Sequence, residues 1–267
     1  MGKTPKAESP IGTLSRGLHV LSCVARAGGR IGLAELAKNT GLHKVTAHRL
    51  AGKLAELGYL ERDAEGRLSL GLRVLELGFS YLASLDLRTQ ALPEMRRLVG
   101  ELDASIGLSV IDRNEVVYIE RLESSTLQPI LPVGVGVRMP LHATAMGKAI
   151  MAFMPDVEQM RMMEQIDFTA LTKRTPRTAA VLTADLRTTR KRGFAVSDQE
   201  YLESYRGIAA PIFDEAGMPV AALSAGAFTS QKTLRELRDV LGPRIVRSSL
   251  AISALLGGGA GPRRAFQ

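Results

Sequence analysis

Apolar residues recur at intervals of three and four along the opening stretch of the chain, the spacing that gathers side chains on one face of a helix. Leu14, Leu18, Leu21 and Ala25 form such a stripe, with Thr13 placed to cap its start and Gly28-Gly29 to end it. A second predicted helix over residues 33–39 brings Leu33, Leu36 and Ala37 together, and Thr40-Gly41-Leu42 supplies a tight turn. A third runs over residues 43–57 and closes at Gly58. At about 100° per residue, this helix sends Ala47, Leu50, Leu54 and Leu57 inward. Val45, His48, Arg49 and Gly52 point outward, with Lys44 at the edge. Residues 59–62 and 67–70 then read as a hairpin turning at Asp63-Ala64-Glu65-Gly66. Two short helices about a glycine-containing turn, followed by a hairpin, make a winged helix-turn-helix.

Leu72, Leu75, Leu77 and Leu82 predict a further helix, and residues 85–104 continue in that style with Pro93 at a helix start or break. Beyond a boundary at 80–90 the period changes to two. Strands are predicted over 105–112 and 115–122, turning at Asp112-Arg113-Asn114. Others fall over 194–197, 206–213 and 220–227, the last two joined by Asp214-Glu215-Ala216-Gly217. Helices fit 143–153, 183–192 and 233–256. The second half is therefore α+β, with helices packed on a mostly antiparallel sheet. Residues 1–12 are expected to be a disordered leader and 257–267 a flexible tail.

Charge sharpens the reading of the third helix. The 267 residues carry 35 Lys and Arg against 27 Asp and Glu, a formal +8. Such a balance favours a polyanionic partner, because each neutralised phosphate releases counterions. Between Leu36 and Ala55 lie Lys38, Lys44, Arg49 and Lys53 and no acid. The first 58 residues hold no Phe, Tyr or Trp. Single-strand binders stack bases on aromatic rings, so duplex DNA is the expected partner. The bland alternative is a solvated amphipathic helix. The candidate DNA-contacting residues are Lys44, Val45, Thr46, His48 and Arg49 on the helix, with Arg62 and Arg67 flanking the hairpin tip. Thr46 lies nearer the buried side of the wheel.

No apolar run is long enough for a membrane span, and the first residues lack the apolar core of a secretory signal. With one cysteine, Cys23, no intramolecular disulfide or CxxC site is possible, and a cytoplasmic setting is expected. Cys23 continues the apolar positions of the first helix and reads as core. No metal-ligand cluster, P-loop or dinucleotide fingerprint is present, so no cofactor is expected.

Several motifs together resemble the IclR family of bacterial transcriptional regulators. They are Thr13-Leu14-Ser15-Arg16-Gly17-Leu18, Leu33-Ala34-Glu35-Leu36-Ala37, Thr46-Ala47-His48-Arg49-Leu50 and Leu57-Gly58-Tyr59-Leu60-Glu61-Arg62. In the second half, Pro140-Leu141-His142-Ala143-Thr144-Ala145-Met146-Gly147-Lys148-Ala149 and Gly207-Ile208-Ala209-Ala210-Pro211-Ile212 are similar to that family's effector-domain signatures. The resemblance implies a winged-helix DNA-binding domain (13–78), a linker helix (79–90) and a GAF-like α/β effector-binding and oligomerisation domain (91–256), assembled as homodimers or homotetramers. A narrower likeness, in Gly78-Phe79-Ser80-Tyr81-Leu82-Ala83-Ser84 and Ser197-Asp198-Gln199-Glu200, is to the branch controlling aromatic-acid catabolism. The chain departs from the family at Val45, where Ser is usual, at Ser204, where Gly is usual, and at Gly207, where Cys or Ser is common.

A small carboxylate effector is the implied ligand. From the residues themselves, the segment from His142 to Gly147 opens a helix whose first N–H groups suit a carboxylate. The resemblance implies that Met146, Gly147, Asp198, Gly207 and Ser224 line the pocket, with Gly226 where many members have a second serine. His142 has a capping role as its alternative, and Ser224 that of a small residue in a buried strand. The basic stretch Lys173, Arg174, Arg177, Arg187, Arg190, Lys191 and Arg192 reads as a solvated helix face or a second macromolecular contact. An enzyme is the competing class, because Ala222-Leu223-Ser224-Ala225-Gly226 is a degenerate nucleophile elbow. Every histidine precedes Ser224, which excludes the order that hydrolase fold requires and leaves as the alternative a hydrolase using Ser224 on a different fold that brings His142 near it.

Overall fold

The computed structural model describes residues 10–124 and 133–258. The chain divides into two compact units, Met1–Ser84 and Leu85–Gln267. Most of the expected leader and tail lies outside the described residues, but residues 10–12 are already helical.

The first unit is three helices, a hairpin and a fourth helix. They are α1 (Pro10–Arg26), α2 (Leu33–Thr40), α3 (Lys44–Glu56), β1 (Leu60–Arg62), β2 (Leu68–Leu70) and α4 (Arg73–Ala83). Its core draws Val20, Cys23 and Val24 from α1, Leu36 from α2 and Leu50 and Ala51 from α3, closed by Ile31, Leu60 and Leu68. That corrects the expected face of α1. Leu14 and Leu18 are 66% and 56% exposed, and Ala25 is exposed too. The helix carries two apolar stripes, and the one containing Val20 and Val24 packs on α2 and α3. The helix also starts before Thr13, at Pro10, whose missing N–H has no intrahelical partner to lose in a first turn.

Gly41 takes up φ 67°, the left-handed conformation a tight helix exit needs, and Thr40 Oγ1 donates to the Leu36 carbonyl at 2.7 Å. In α3, Ala51 takes the inward place expected of Leu57, because the helix stops at Glu56 and Leu57, past its end, is exposed. The hairpin gains a third rung where Ile31 exchanges backbone hydrogen bonds of 2.9 and 2.8 Å with Leu68.

The second unit holds α5 (Asp86–Leu102), β3 (Ser105–Asp112), β4 (Glu115–Leu122), β5 (Arg138–Pro140), α6 (Ala145–Phe153), α7 (Asp156–Glu164) and α8 (Ala179–Arg192). After these come β6 (Ala195–Asp198), β7 (Tyr205–Phe213), β8 (Pro219–Phe228), α9 (Leu234–Glu236), a π-helical turn (Leu237–Leu241) and α10 (Gly242–Leu255). One six-stranded sheet has the order β5-β4-β3-β8-β7-β6, with every neighbouring pair antiparallel. Helices α5 and α10 pack together along one face, and α6 and α8 along the other.

Several boundaries differ from expectation for local reasons. Pro93 sits inside α5, where its missing hydrogen bond is offset by burial of Ala91, Met95, Leu98 and Leu102 against the sheet. The single helix expected over 233–256 is instead split. A Thr233/Glu236 capping box starts it, and a wide turn precedes Pro243, which has no N–H to return to the carbonyl four residues back. Strand β5 and helix α7 were not predicted, one too short to show alternation and the other burying no residue to mark a stripe.

Lys148 on α6 is fully buried, and its ammonium meets acceptors from three other places in the unit. Nζ donates to Asp185 Oδ2 on α8 (2.6 Å), to the Val196 carbonyl on β6 (2.5 Å) and to both Glu200 carboxylate oxygens (2.8 and 2.7 Å). Three N–H groups thus have a full set of partners. Removing one member of a buried ion cluster strands the rest. Lys148→Ala is expected to lower stability by about 3–5 kcal/mol, read from urea unfolding of the full chain, while Lys148→Met combined with Glu200→Gln should cost distinctly less. Equal losses would mean that the charges are not the source.

Candidate functional site

Two regions gather the chemistry. In the first unit, Lys44, Val45 (82% exposed), His48 and Arg49 stand on the outward strip of α3, and Thr46 is half-buried. The first turn of α3 carries no acid, so its partial positive charge is left for an anion. Lys53 on the same helix is held by Glu56 at 2.7 Å. On the hairpin, Arg62 is exposed. Arg67 is committed elsewhere: its Nε meets Asp63 at 2.9 Å, its Nη2 meets Glu65 at 3.3 Å and its backbone N–H donates to Asp63 Oδ1, bracing the turn. Arg30 adds a second cation to Asp63 at 3.3 Å.

In the second unit, a small cavity of about 40 Å³ lies between the sheet and the start of α6. Strand register explains the space. One row across the sheet runs Arg121, Gly107, Ser224, Ala209, and the next runs Ser105, Gly226, Gly207, Ser197. Small residues leave room there that larger ones would fill. Ala143, Thr144, Ala145 and Met146 form the roof, with Tyr201 at the side. Thr144 Oγ1 accepts from the Gly147 N–H at 3.2 Å, while the N–H groups of Ala145 and Met146 belong to the first turn and have no intrahelical acceptor.

An irregularity in β4 puts its polar residues on the same side. Ser109 pairs with Tyr118 and Leu108 with Glu120, so Ile119 is skipped. The extra residue shifts the alternation, and Tyr118 and Arg121, three apart, both face the cavity. Glu120 turns to the other face and pairs with Arg88 at 2.7 Å. The Arg121 guanidinium stacks on the Tyr118 ring, 5.6 Å from its centroid, and bonds Ser105 Oγ at 3.2 Å and Glu123 Oε1 at 3.1 Å. Burial pushes the phenols of Tyr118 and Tyr205 above their ordinary range, so both remain O–H donors. Ser224 Oγ donates to the Gly107 carbonyl at 3.2 Å.

Of the residues expected to bind an effector, the cavity therefore brings together Met146, Gly207, Ser224 and Gly226. His142, Gly147 and Asp198 stand elsewhere. His142 Nε2 reaches the Thr169 carbonyl at 3.2 Å, its ring packs on Phe168, and burial pulls its pKa below the usual imidazole value. Gly147 is a packing glycine, since a Cβ there would collide with the Leu141 carbonyl. Burial pushes the Asp198 carboxyl up, but Arg206, Gln199 and Arg174 outweigh it and hold it below its ordinary value. Arg206 meets it at 2.6 Å, and Arg174 makes a second ion pair with it. Sequence reasoning missed Ser105, Tyr118, Arg121 and Tyr205. Tyr205 leads the family-like signature at Gly207, so extending that strand by two residues would have found it; the bulge that turns Arg121 inward leaves no mark in the sequence.

Three of the seven residues of the basic stretch are taken up by structure. Arg174 pairs with Asp198, Arg190 Nε donates to the Ala152 carbonyl at 2.5 Å, and Arg192 stacks on Phe194 and donates to its carbonyl. Nor does Ser224 meet a histidine, since its hydroxyl is given to Gly107 and His142 is engaged with Thr169. Among the described residues no group of His, Cys, Asp and Glu could hold a metal ion, and no helix is long and apolar enough to cross a membrane.

A winged helix-turn-helix followed by an α/β unit with an internal cavity is the layout of a ligand-responsive DNA-binding regulator. The comparisons give the family. Residues 13–64 match the IclR helix-turn-helix domain, and 79–254 match the bacterial transcriptional regulator IclR C-terminal domain. The chain is 30% identical over 251 residues to the HTH-type transcriptional regulator XynR of Escherichia coli K12, covering 92% of this chain and 98% of that one. An IclR family regulator from Brucella abortus superposes with a TM-score of 0.76 at 28% identity, over 95% of this chain and 96% of that one. An IclR homologue from Microbacterium hydrocarbonoxydans, solved with 4-hydroxybenzoate, superposes with a TM-score of 0.77 at 26% identity, over 91% and 98%. The chain belongs to the IclR family of DNA-binding transcriptional regulators. Its families and relatives are regulators and not enzymes.

The two cavity glycines of β7 and β8 separate space from contact. A Cβ at Gly207 would meet only Ala145 Cβ at 3.8 Å and Ala225 O at 3.9 Å, whereas one at Gly226 would collide with the Tyr205 hydroxyl. Gly207→Ala should leave the thermal midpoint within about 2 °C of the parent, and Gly226→Ala should lower it by several degrees, at about 1–3 kcal/mol for an overpacked core. Equal midpoints for the two variants would show that Tyr205 swings away without cost.

Proposed function

We propose that this regulator reads a two-fold operator through α3 and is controlled by a small carboxylate, an aromatic acid being the first class to test, held in the cavity under the sheet. In this reading residues 13–78 bind DNA, 79–90 link, and 91–256 bind the effector and support oligomerisation. The observation that carries the effector is the cavity floor, where Gly107, Ser224, Gly226 and Gly207 leave room beside buried hydroxyl and guanidinium donors. The Microbacterium relative solved with 4-hydroxybenzoate supports the aromatic class, as do the sequence likenesses at Gly78–Ser84 and Ser197–Glu200. Met146, Gly207, Ser224 and Gly226 are the proposed effector contacts. Lys44, Val45, His48 and Arg49 are the proposed major-groove contacts, with Arg62 on phosphate and Thr46 in support. Work on chromosomal DNA makes the cytoplasm the proposed setting.

A second copy of the chain is the proposed partner. Along α1 and α4, Leu14, Leu18, Leu75, Phe79 and Tyr81 are more than half exposed, and α4 has no buried residue. Apolar faces of this kind pair with another protein surface, and two winged helices reading two half-sites require such a pair. For an effector to act, it must favour one arrangement of that pair over another, since equal affinity for both shifts nothing.

Two experiments test the reading. On a duplex selected from random sequence by the purified protein, Arg49→Ala should weaken binding about tenfold or more at fixed salt, the loss expected of a bidentate contact worth about 1–3 kcal/mol. Unchanged affinity would remove Arg49 from the interface. In a thermal-shift screen of hydroxybenzoates, protocatechuate and short 2-oxo acids, a saturating effector stabilises by RT ln(1 + [L]/Kd), and Ser224→Leu should abolish the shift. Hits confined to 2-oxo acids would overturn the aromatic class and retain the carboxylate.

A further inference from the structure

The cavity has two groups able to receive a carboxylate, and they face it from different elements. One is the first turn of α6, where the N–H groups of Ala145 and Met146 are open. The other is the cluster on the sheet made by Arg121, Tyr118, Tyr205 and Ser105. Their hydrogen-bonding capacities differ. The α6 turn offers two neutral donors beside apolar Met146 and Ala143, and its third N–H is already taken by Thr144. The sheet cluster offers a guanidinium with five N–H groups, two phenols and a serine hydroxyl, with Glu123 as the carboxylate paired with Arg121. Arg121 Nε and Nη2 meet the Glu123 carboxylate, and Nη2 also donates to Ser105 Oγ. The cluster carries the positive charge of Arg121 and is largely buried, Arg121 being 7% exposed at its side chain. A buried guanidinium is best matched by a planar anion that takes its N–H groups in pairs.

We propose that Arg121, with Tyr118 and Tyr205 beside it, is the anchor for the effector's carboxylate, and that the start of α6 receives the ligand's other end. This inference rests on the carboxylate reading given above and assigns the charge to one pole of the cavity. A guanidinium takes a carboxylate through two parallel N–H···O bonds, and the Tyr118 ring under it limits the directions the head group can turn. Glu123 is the resting counter-ion, part-exposed and able to yield one N–H to an incoming anion. Ligands are therefore selected for a free carboxylate first, with a hydrogen-bond acceptor at the far end, facing Ala145 and Met146, adding affinity. A 4-hydroxylated benzoate meets both requirements; a short 2-oxo acid, whose oxo group adjoins its carboxylate, meets only the first, and the neutral amide of a hydroxybenzoate only the second.

The test is calorimetric titration of the full-length protein with 4-hydroxybenzoate, pyruvate and the neutral amide of each. The parent should prefer an acid over its amide by about tenfold or more, the discrimination expected of a charged hydrogen bond. Arg121→Met should erase that preference while leaving amide binding within about twofold, and Arg121→Lys should keep part of it. Tyr205→Phe retains the ring over Gly226 and removes one donor, so it should weaken the acid about three- to tenfold and leave the amide unchanged. It also serves where Arg121→Met does not fold. An acid-over-amide preference that survives in Arg121→Met or Arg121→Lys at the parent's level, with Tyr205→Phe also unchanged, overturns the anchor and moves the charge to α6. Failure of the parent to bind either acid overturns the carboxylate reading itself.

Discussion

The second unit depends on one buried ammonium. Lys148 sits where α6 crosses the sheet, and its three acceptors come from α8, from β6 and from the turn that precedes β7. A hydrophobic residue could fill the same volume at equal or better stability, because desolvating ions is expensive. What an apolar side chain cannot do is specify direction. Each N–H of Lys148 aims at one acceptor, so the axial position and rotation of α6 are fixed with respect to the strand edge. The next residue back, Gly147, packs on the Leu141 carbonyl, and Ala145 lies over Gly207. The ion cluster thus sets the height of the roof above the cavity floor. The turn holding Glu200 is itself tied down, by Thr172 Oγ1 on the Gln199 carbonyl at 2.7 Å and Thr175 Oγ1 on the Glu200 carbonyl at 2.6 Å.

With the roof fixed, the cavity is a consequence of residue size and strand parity. Gly107, Ser224, Gly226 and Gly207 fall in adjacent register positions on the face beneath α6, where interiors are otherwise close-packed. The glycines are not interchangeable. Gly107 makes way for the Tyr118 ring, Gly226 for the Tyr205 hydroxyl, and Gly207 for open space. Two of the three therefore give their room to a polar side chain. The bulge at Ile119 delivers Arg121 to the same face, and a regular strand would have sent Arg121 to the face of α5 and Glu120 to the cavity. One extra residue thus decides whether the site is cationic or anionic.

The legible and illegible parts of this protein follow from that distinction. Period and turn chemistry revealed the helix-turn-helix, because Gly41 and Gly66 need positive φ and the leucines of α3 repeat at helical spacing. Strands β3 and β4 were legible to the residue, as was Cys23 as core. The inward face of α1 was not, since two apolar stripes compete and only packing on α2 and α3 chooses between them. The pocket serine and the two neighbouring glycines came from family likeness, which is carried by short motifs. Arg121 and Tyr118 lie in a strand without such a motif, and their orientation depends on a pairing irregularity that involves β3 as much as β4. His142, Gly147 and Asp198 sit in the motifs too, yet the first two shape the loop before α6 and its packing, and the third neutralises Arg174 and Arg206.

Net charge gains meaning only after such spending is counted. A formal +8 suggested a polyanion, and the densest run of basic residues lies in the second unit, not on α3. There Arg174, Arg190 and Arg192 hold a carboxylate, two helix-end carbonyls and a phenylalanine ring. On the hairpin, Arg67 is likewise engaged by Asp63 and Glu65. A cation already paired with a carboxylate releases fewer counterions on meeting phosphate, because it must first give up its partner. The first turn of α3 carries no acid, whereas Asp63 and Glu65 are engaged by Arg67 on the hairpin. A cation already engaged by a carboxylate or carbonyl is therefore a weaker candidate for a phosphate than one that is not, whatever the local density of basic residues. Counted that way, Arg174, Arg190 and Arg192 of the 173–192 stretch are already engaged, as is Lys53 on α3.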